Sequence, residues 1–203
     1  MYLTLLRHEA RPMEDPRFFT SLTQEGLNRS KTSLVDRLYV SDPPAPPIDV
    51  IYCSPFLRTV QTVIPFAQAT GLKIRIEPAL YEFMENPLFT DDNWYHTVDE
   101  LPSELQVYID TTYKPIFPLS RLKFRETWDD CLIRTTTFLD YLISPQCESP
   151  ISLFKHPLLV SHMTTINSCL YRWDTSVVAE STFPIGGTKL IKIVSPIEAT
   201  KLK

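Results

Sequence analysis

Short apolar runs, separated by longer stretches of helical periodicity, constrain this chain more than any other feature. Tyr2–Leu6, Ile48–Tyr52 and Pro157–Ser161 are too short for buried helices, and charge or proline bounds them; they read as strands buried on both faces. Lys73–Glu77 alternates Ile74 and Ile76 and adds another strand. Between these runs the apolar positions recur at helical spacing. Thr23 caps a helix carrying Leu27, Leu34, Val35 and Leu38 on one face. Ser54-Pro55 reads as an N-cap with a first-turn proline, opening a helix through Phe56, Leu57, Val60 and Val63 that Pro65 kinks and Gly71 closes. Thr127 and Asp130 form the start of a capping box, and the helix after them places Trp128, Cys131, Leu132, Phe138, Leu139 and Leu142 together. Thr164–Trp173 gives a further helix, and Phe183–Ile185 with Lys189–Val194 flanks Gly186-Gly187 as hairpin arms. Strands that alternate with helices predict an α/β fold: a three-layer α/β/α sandwich on a largely parallel open sheet.

One segment departs from this pattern. Residues 83–125 are aromatic and interrupted by proline, with one helix expected over 103–113. We read them as a cap-like insertion over the sheet, within a single domain spanning residues 1–203. The proline-rich stretch 42–47 is a loop, because consecutive prolines can join neither helix nor ladder.

Composition removes whole classes of function. The chain has 4 glycines and 18 prolines, and neither GxGxxG nor GxxxxGK[ST] occurs, so any phosphate must be held by side chains. A net charge of -4 gives no general attraction to nucleic acid or anionic membrane, so neither is an expected direct partner. Cys53, Cys131, Cys147 and Cys169 have no metal-finger or CxxC spacing; they read as buried free thiols, and no metal is expected. No leader pattern or membrane-length apolar run is seen, so a cytoplasmic or nuclear location is expected.

In open α/β sheets, ligands bind beyond the carboxyl ends of the strands. The first strand here runs into Arg7 and His8, the second into Ser54 and then Arg58, and the stretch PLLVSH into His162. Two guanidiniums and two imidazoles at one edge suit a dianionic phosphate, because arginine stays charged and donates in a planar fork. An imidazole can attack phosphorus when one nitrogen is unprotonated and the other donates elsewhere. Taken singly, each residue has a plainer role: Glu9 and Arg11 as a solvated ion pair, His96 and His156 as structural groups.

The ordered stretches LLRHEARP, LTQEG, IYCSPFLRTVQT, EPALYE and LLVSHMTTI together resemble the histidine phosphatase superfamily, in its phosphoglycerate mutase-like branch. The resemblance runs from Tyr2 to about Ile166. It implies that His8 is a nucleophile forming a phosphohistidine, and that Arg7, Arg58 and His162 bind the transferring phosphoryl group. Glu82 matches the family's proton donor, with a carboxyl raised by partial burial beside Tyr81 and Phe83, whereas Glu85 reads as a surface acid. Arg11 is a candidate further phosphate contact. The loop EARPMEDPRFFTS is more similar to phosphatase members acting on bulkier substrates, including the suppressor of T-cell signalling proteins, than to mutases; it is similar also to a phosphatase-like domain in a subunit of the RNA polymerase III initiation factor. Two positions depart from the family's usual glycine, Glu9 after His8 and Met163 after His162, and Glu9 is expected to turn toward Arg11 or solvent.

These features imply a metal-independent phosphatase without cofactor, acting on a phosphorylated small molecule or phosphoprotein. The alternatives are a weakly active or inactive phosphatase-like interaction domain, and a phosphoglycerate-type mutase. Phe83, Phe89, Trp94 and Tyr95 either wall a pocket for the leaving group or form the insertion's own small core.

Overall fold

The computed structural model describes residues 1–39, 45–85, 96–143 and 154–193. Its elements in chain order are β1 (Tyr2–Arg7), α1 (Gln24–Lys31), α2 (Ser33–Tyr39), β2 (Val50–Cys53), α3 (Leu57–Thr70), β3 (Ile74–Ile76), α4 (Ser103–Gln106), α5 (Trp128–Ile143), β4 (Pro157–Ser161), α6 (Met163–Tyr171) and β5 (Thr188–Lys192). The strands form a 5-stranded sheet in the order β3-β2-β4-β1-β5. Strands β1 to β4 run parallel, and β5 is antiparallel to β1.

Leu3, Leu5, Leu6, Ile51, Tyr52, Leu158 and Val160 are fully buried, as apolar runs covered on both faces must be. Helices α1, α2 and α3 pack with one another and α5 packs with α6, giving the helical layers of the expected sandwich. Among the described residues, no helix is long and apolar enough to cross a membrane.

Several local expectations are met by hydrogen bonds. Thr23 accepts from the Gly26 amide at the start of α1, and Thr127 and Asp130 bond reciprocally before α5. Gly71 closes α3 at φ 74, in the left-handed region that a side chain disfavours, and Pro65 sits inside that helix.

Other expectations are corrected. The helix after Thr23 divides into α1 and α2 at Thr32, whose hydroxyl bonds back to the Asn28 carbonyl. Helix α3 begins at Leu57 after Phe56, and Ser54 does not cap it, because the Ser54 hydroxyl is engaged by His162. The helix expected over 103–113 is confined to α4, since Ile109 leaves it to bridge Ile74 in parallel. Residues 183–185 form no strand; β5 finds its partner in β1 rather than in a hairpin arm. The α6 helix begins at Met163 and ends at Tyr171.

The described part of the inserted segment runs along the β3 edge. Ile74 donates to the Tyr108 carbonyl and accepts from the Asp110 amide, both at 2.8 Å. Fully buried Glu77 then receives the Tyr113 hydroxyl at 2.6 Å and the Ile116 and Phe117 amides at 2.9 and 3.1 Å. An otherwise open sheet edge is thereby covered. Asp42–Pro44 of the proline-rich loop, Cys147, Phe89, Trp94 and Tyr95 lie outside the described residues; Cys53, Cys131 and Cys169 are buried and free, as expected.

Candidate active site

The carboxyl ends of the parallel strands are held level by hydrogen bonds that continue the ladder. His8 donates its amide to the Ser161 carbonyl, Ser54 to Val160, and Glu77 to Cys53, at 2.9–3.0 Å. The residues that follow therefore emerge side by side: His8 after β1, Ser54 after β2, His162 after β4. A turn over Pro78–Leu80 after β3 delivers Glu82 to the same edge.

His8 and His162 are buried with ring centroids 5.3 Å apart. His8 Nδ1 lies 2.7 Å from the Glu9 carbonyl, which can only accept, so Nδ1 carries the proton and Nε2 is left with its lone pair. Burial, aided by His162 and Arg58, holds the His8 imidazole well below the ordinary histidine range. His162 Nε2 meets the Ser54 hydroxyl at 2.9 Å, and Nδ1 lies 3.1 Å from Glu82 Oε2. Burial lowers the His162 pKa to about 4 despite that carboxylate.

Arg58 is fully buried. It donates to the Arg17 carbonyl at 2.9 Å and to Glu82 Oε2 at 3.0 Å, and its guanidinium lies 4.4 Å from the centre of the Phe56 ring. Arg7 donates Nη1 to the Phe183 carbonyl and lies within electrostatic reach of Glu82. Two buried nitrogens here, Arg7 Nε and Arg58 Nε, have no hydrogen-bond partner among the described residues, and His162 Nδ1 has only its 3.1 Å contact with Glu82 Oε2. Unsatisfied buried donors are costly, and their gathering at one edge is what an anion site requires.

Glu82 departs from expectation. Burial pushes its carboxyl up, but His162 and Arg58 outweigh burial and hold it well below the usual carboxylate range. The neighbours that decide this are His162 and Arg58 rather than Tyr81 and Phe83. Arg11 is half-buried, and its Nη1 donates to the carbonyls of Pro12, Met13 and Asp15. Its charge still depresses Arg7, Arg58 and His162, so Arg11 borders the site without a side-chain contact in it.

Glu9 turns toward neither Arg11 nor solvent. It is 2% exposed, with Oε1 3.6 Å from Arg37, and its charged neighbours are Arg37, Arg29 and Glu25. Gly186 makes room for it: a Cβ there would lie 2.1 Å from Oε1. Glu85 is exposed, as a surface acid should be. His156 is buried between Thr4 and the Pro46 carbonyl, and His96 contacts Glu100 and the rings of Phe18 and Phe19; both have structural partners.

Donor atoms of His8, Glu82 and His162 lie within 4.8 Å of one another, close enough to hold a cation. The Arg58 guanidinium lies 3.0 Å from the same Glu82 oxygen, and its fixed charge would repel a divalent ion there. The arrangement fits a tetrahedral anion better.

The fold and this edge define a class: an open α/β protein whose paired imidazoles and buried arginine converge beyond the carboxyl ends of its parallel strands. Within that class, the chain belongs to the histidine phosphatase superfamily (branch 1), which it matches over residues 22–195. It is 35% identical over 130 residues to ubiquitin-associated and SH3 domain-containing protein B of Homo sapiens, covering 60% of this chain and 19% of that protein. It is 30% identical over 128 residues to the ecdysteroid-phosphate phosphatase of Drosophila melanogaster, covering 60% of this chain and 16% of that protein. The chain thus spans at most about a fifth of the length of these curated relatives. Among solved structures, it superposes on the Bombix mori ecdysone phosphate phosphatase, determined with tungstate, with a TM-score of 0.61 at 18% identity, over 93% of this chain and 87% of that one. The alpha-ribazole phosphatase of Shigella flexneri gives 0.61 at 20% identity, over 96% and 91%. At such identities the likeness is one of fold.

Proposed function

We propose that this protein is a metal-independent phosphatase that hydrolyses phosphate monoesters through a phosphohistidine on His8. The observation that carries the reading is the His8 tautomer, with Nδ1 spent on the Glu9 carbonyl and Nε2 left to attack. Nε2 attacks phosphorus as the bond to the leaving oxygen breaks, while Arg7 and Arg58 neutralise the charge spread over the phosphoryl oxygens and His162 donates a hydrogen bond to them. Glu82 gives its proton to the leaving oxygen. Water then attacks the phosphohistidine, Glu82 takes up the proton, and the N–P bond breaks to release phosphate and restore His8.

Glu82 must acquire a proton for the first step, although the free site holds it ionised. A dianionic phosphoryl group supplies the means: it replaces the carboxylate as partner of Arg58, and its own charge raises the Glu82 carboxyl. The leaving group lies toward a cavity of about 310 Å³ lined by Asp15, Arg17, Phe18, Phe19, Thr20 and His96. Arg17, whose carbonyl holds Arg58, links that cavity to the phosphoryl site. Its aromatic lining suits an apolar alcohol or phenol, in keeping with the ecdysteroid-phosphate phosphatase among the relatives.

Hydrolysis of an aryl phosphate by wild type and His8→Ala tests the proposal. The expected loss is at least about 10³-fold; an unchanged rate contradicts the role of His8. The ionised Glu82 paired with Arg58 favours a second reading, an interaction domain that holds phosphate without turnover. Saturable phosphate binding with no hydrolysis of any monoester would decide for it.

A further inference from the structure

The segment that delivers Glu82 is gripped from behind by a buried polar cluster that the resemblance assigns no role. Arg134 and Glu126 are 1% and 4% exposed, and they pair through two contacts, Nη2 to Oε2 at 2.9 Å and Nε to Oε1. The rest of the guanidinium is spent on the backbone that leads to Glu82. Nη1 donates to the Ala79 carbonyl, and Nη2 to the Tyr81 carbonyl at 3.1 Å. The Ser161 hydroxyl takes the intervening Leu80 carbonyl at 2.7 Å, and the Thr165 hydroxyl donates to Tyr81 at 2.7 Å. Consecutive carbonyls from Ala79 to Tyr81 are thus each held by a buried side chain, from α5, β4 and α6.

We infer that Arg134, oriented by Glu126 and seconded by Thr165, is a positioning residue that fixes the trajectory of Glu82 into the phosphoryl site. The inference rests on the reading of Glu82 as proton donor. General-acid catalysis tolerates little misplacement, because the donor must lie within hydrogen-bond reach of the leaving oxygen. A planar fork that binds two carbonyls and a carboxylate at once is work that a lysine cannot reproduce. Arg58 and His162 meet this segment through the Glu82 carboxylate, which a bound phosphoryl group replaces as their partner, so the two roles are separable once substrate is bound.

The test is the dependence of kcat on the leaving group, measured with a dinitrophenyl phosphate, which departs without a proton, and an alkyl or unsubstituted phenyl phosphate, which requires one. Arg134→Lys and the milder Thr165→Val are compared with Glu82→Gln and wild type. The expected result is a loss in Arg134→Lys of about 10-fold or more on the poor leaving group, and under about 3-fold on the good one, with KM nearly constant. Thr165→Val should show the same bias to a smaller degree, and it reads the contact even if Arg134→Lys folds poorly. Equal losses on both substrates, tracking the folded fraction, would overturn the positioning role while Glu82→Gln remained biased. Absence of bias in Glu82→Gln would instead remove the proton-donor reading beneath it.

Discussion

At the residue scale, the Ser54 hydroxyl ties the rotation of the His162 ring to the end of β2. Deleting one hydrogen bond of this kind costs about 1 kcal/mol of stability, so Ser54→Ala is expected to lose about that much in urea unfolding and, with the His162 ring freed to rotate, to lower kcat by about 5- to 10-fold in a steady-state assay. Glu9 leads to a different expectation. Its carboxylate lies among Arg37, Arg29 and the Gly186 backbone, and its Oε2 has no hydrogen-bond partner among the described residues. Glu9→Gln should therefore keep hydrolysis within about 3-fold of wild type, since the proposed phosphate contacts lose nothing; a larger gain would show that the Glu9 charge opposes substrate. The convergence of His8, Arg58 and His162 on one edge was legible in the sequence because strand ends fix direction. The burial of Glu9 was not, because the arginine and glycine that accommodate it lie 28 and 177 positions further along the chain.

At the scale of elements, strands and long helices followed from apolar spacing, since β1, β2, β3, β4, α3 and α5 lie close to where periodicity put them. What escaped was set by partners far along the chain. Ile109 is drawn from a helix into a bridge with Ile74, and β5 pairs with β1 instead of turning on itself. Glu77 shows how a single buried acceptor organises such a segment, taking the Tyr113 hydroxyl and the Ala79, Ile116 and Phe117 amides. In Glu77→Gln the amide NH₂ would face donors that an oxygen now accepts. A loss of about 2–3 kcal/mol is expected in urea unfolding, accompanied by faster proteolysis within 103–122. Breaking the buried Arg134–Glu126 pair with Glu126→Ala should cost about 3–5 kcal/mol, because an uncompensated guanidinium would remain inside.

For the whole molecule, the two buried imidazoles make folding sensitive to acid. His8 and His162 are both depressed below the ordinary value near 6.5, His162 to about 4. Below pH 6.5 the unfolded chain binds protons that the folded chain refuses, so stability is present above that pH and is lost as pH falls toward the folded pKa. The slope is at most about 1.4 kcal/mol per pH unit for each imidazole; His162 alone accounts for about 3 kcal/mol between pH 6.5 and pH 4. Urea titrations at pH 7, 5.5 and 4.5 should show this decline, and a flat profile would mean that the imidazoles are charged in the folded state. That these side chains share one edge was legible in the strand ends, but the Glu82 carboxyl was expected with the wrong sign, because charge balance depends on distances that spacing does not contain. The account stands most directly on the state of His8 during turnover. Rapid quenching of the enzyme mixed with a phosphate monoester, followed by peptide mass spectrometry, should find a phosphoryl group on His8 that is stable to base and labile to acid, and absent from His8→Ala. Turnover with no such adduct on His8, or with the adduct on another residue, would contradict it.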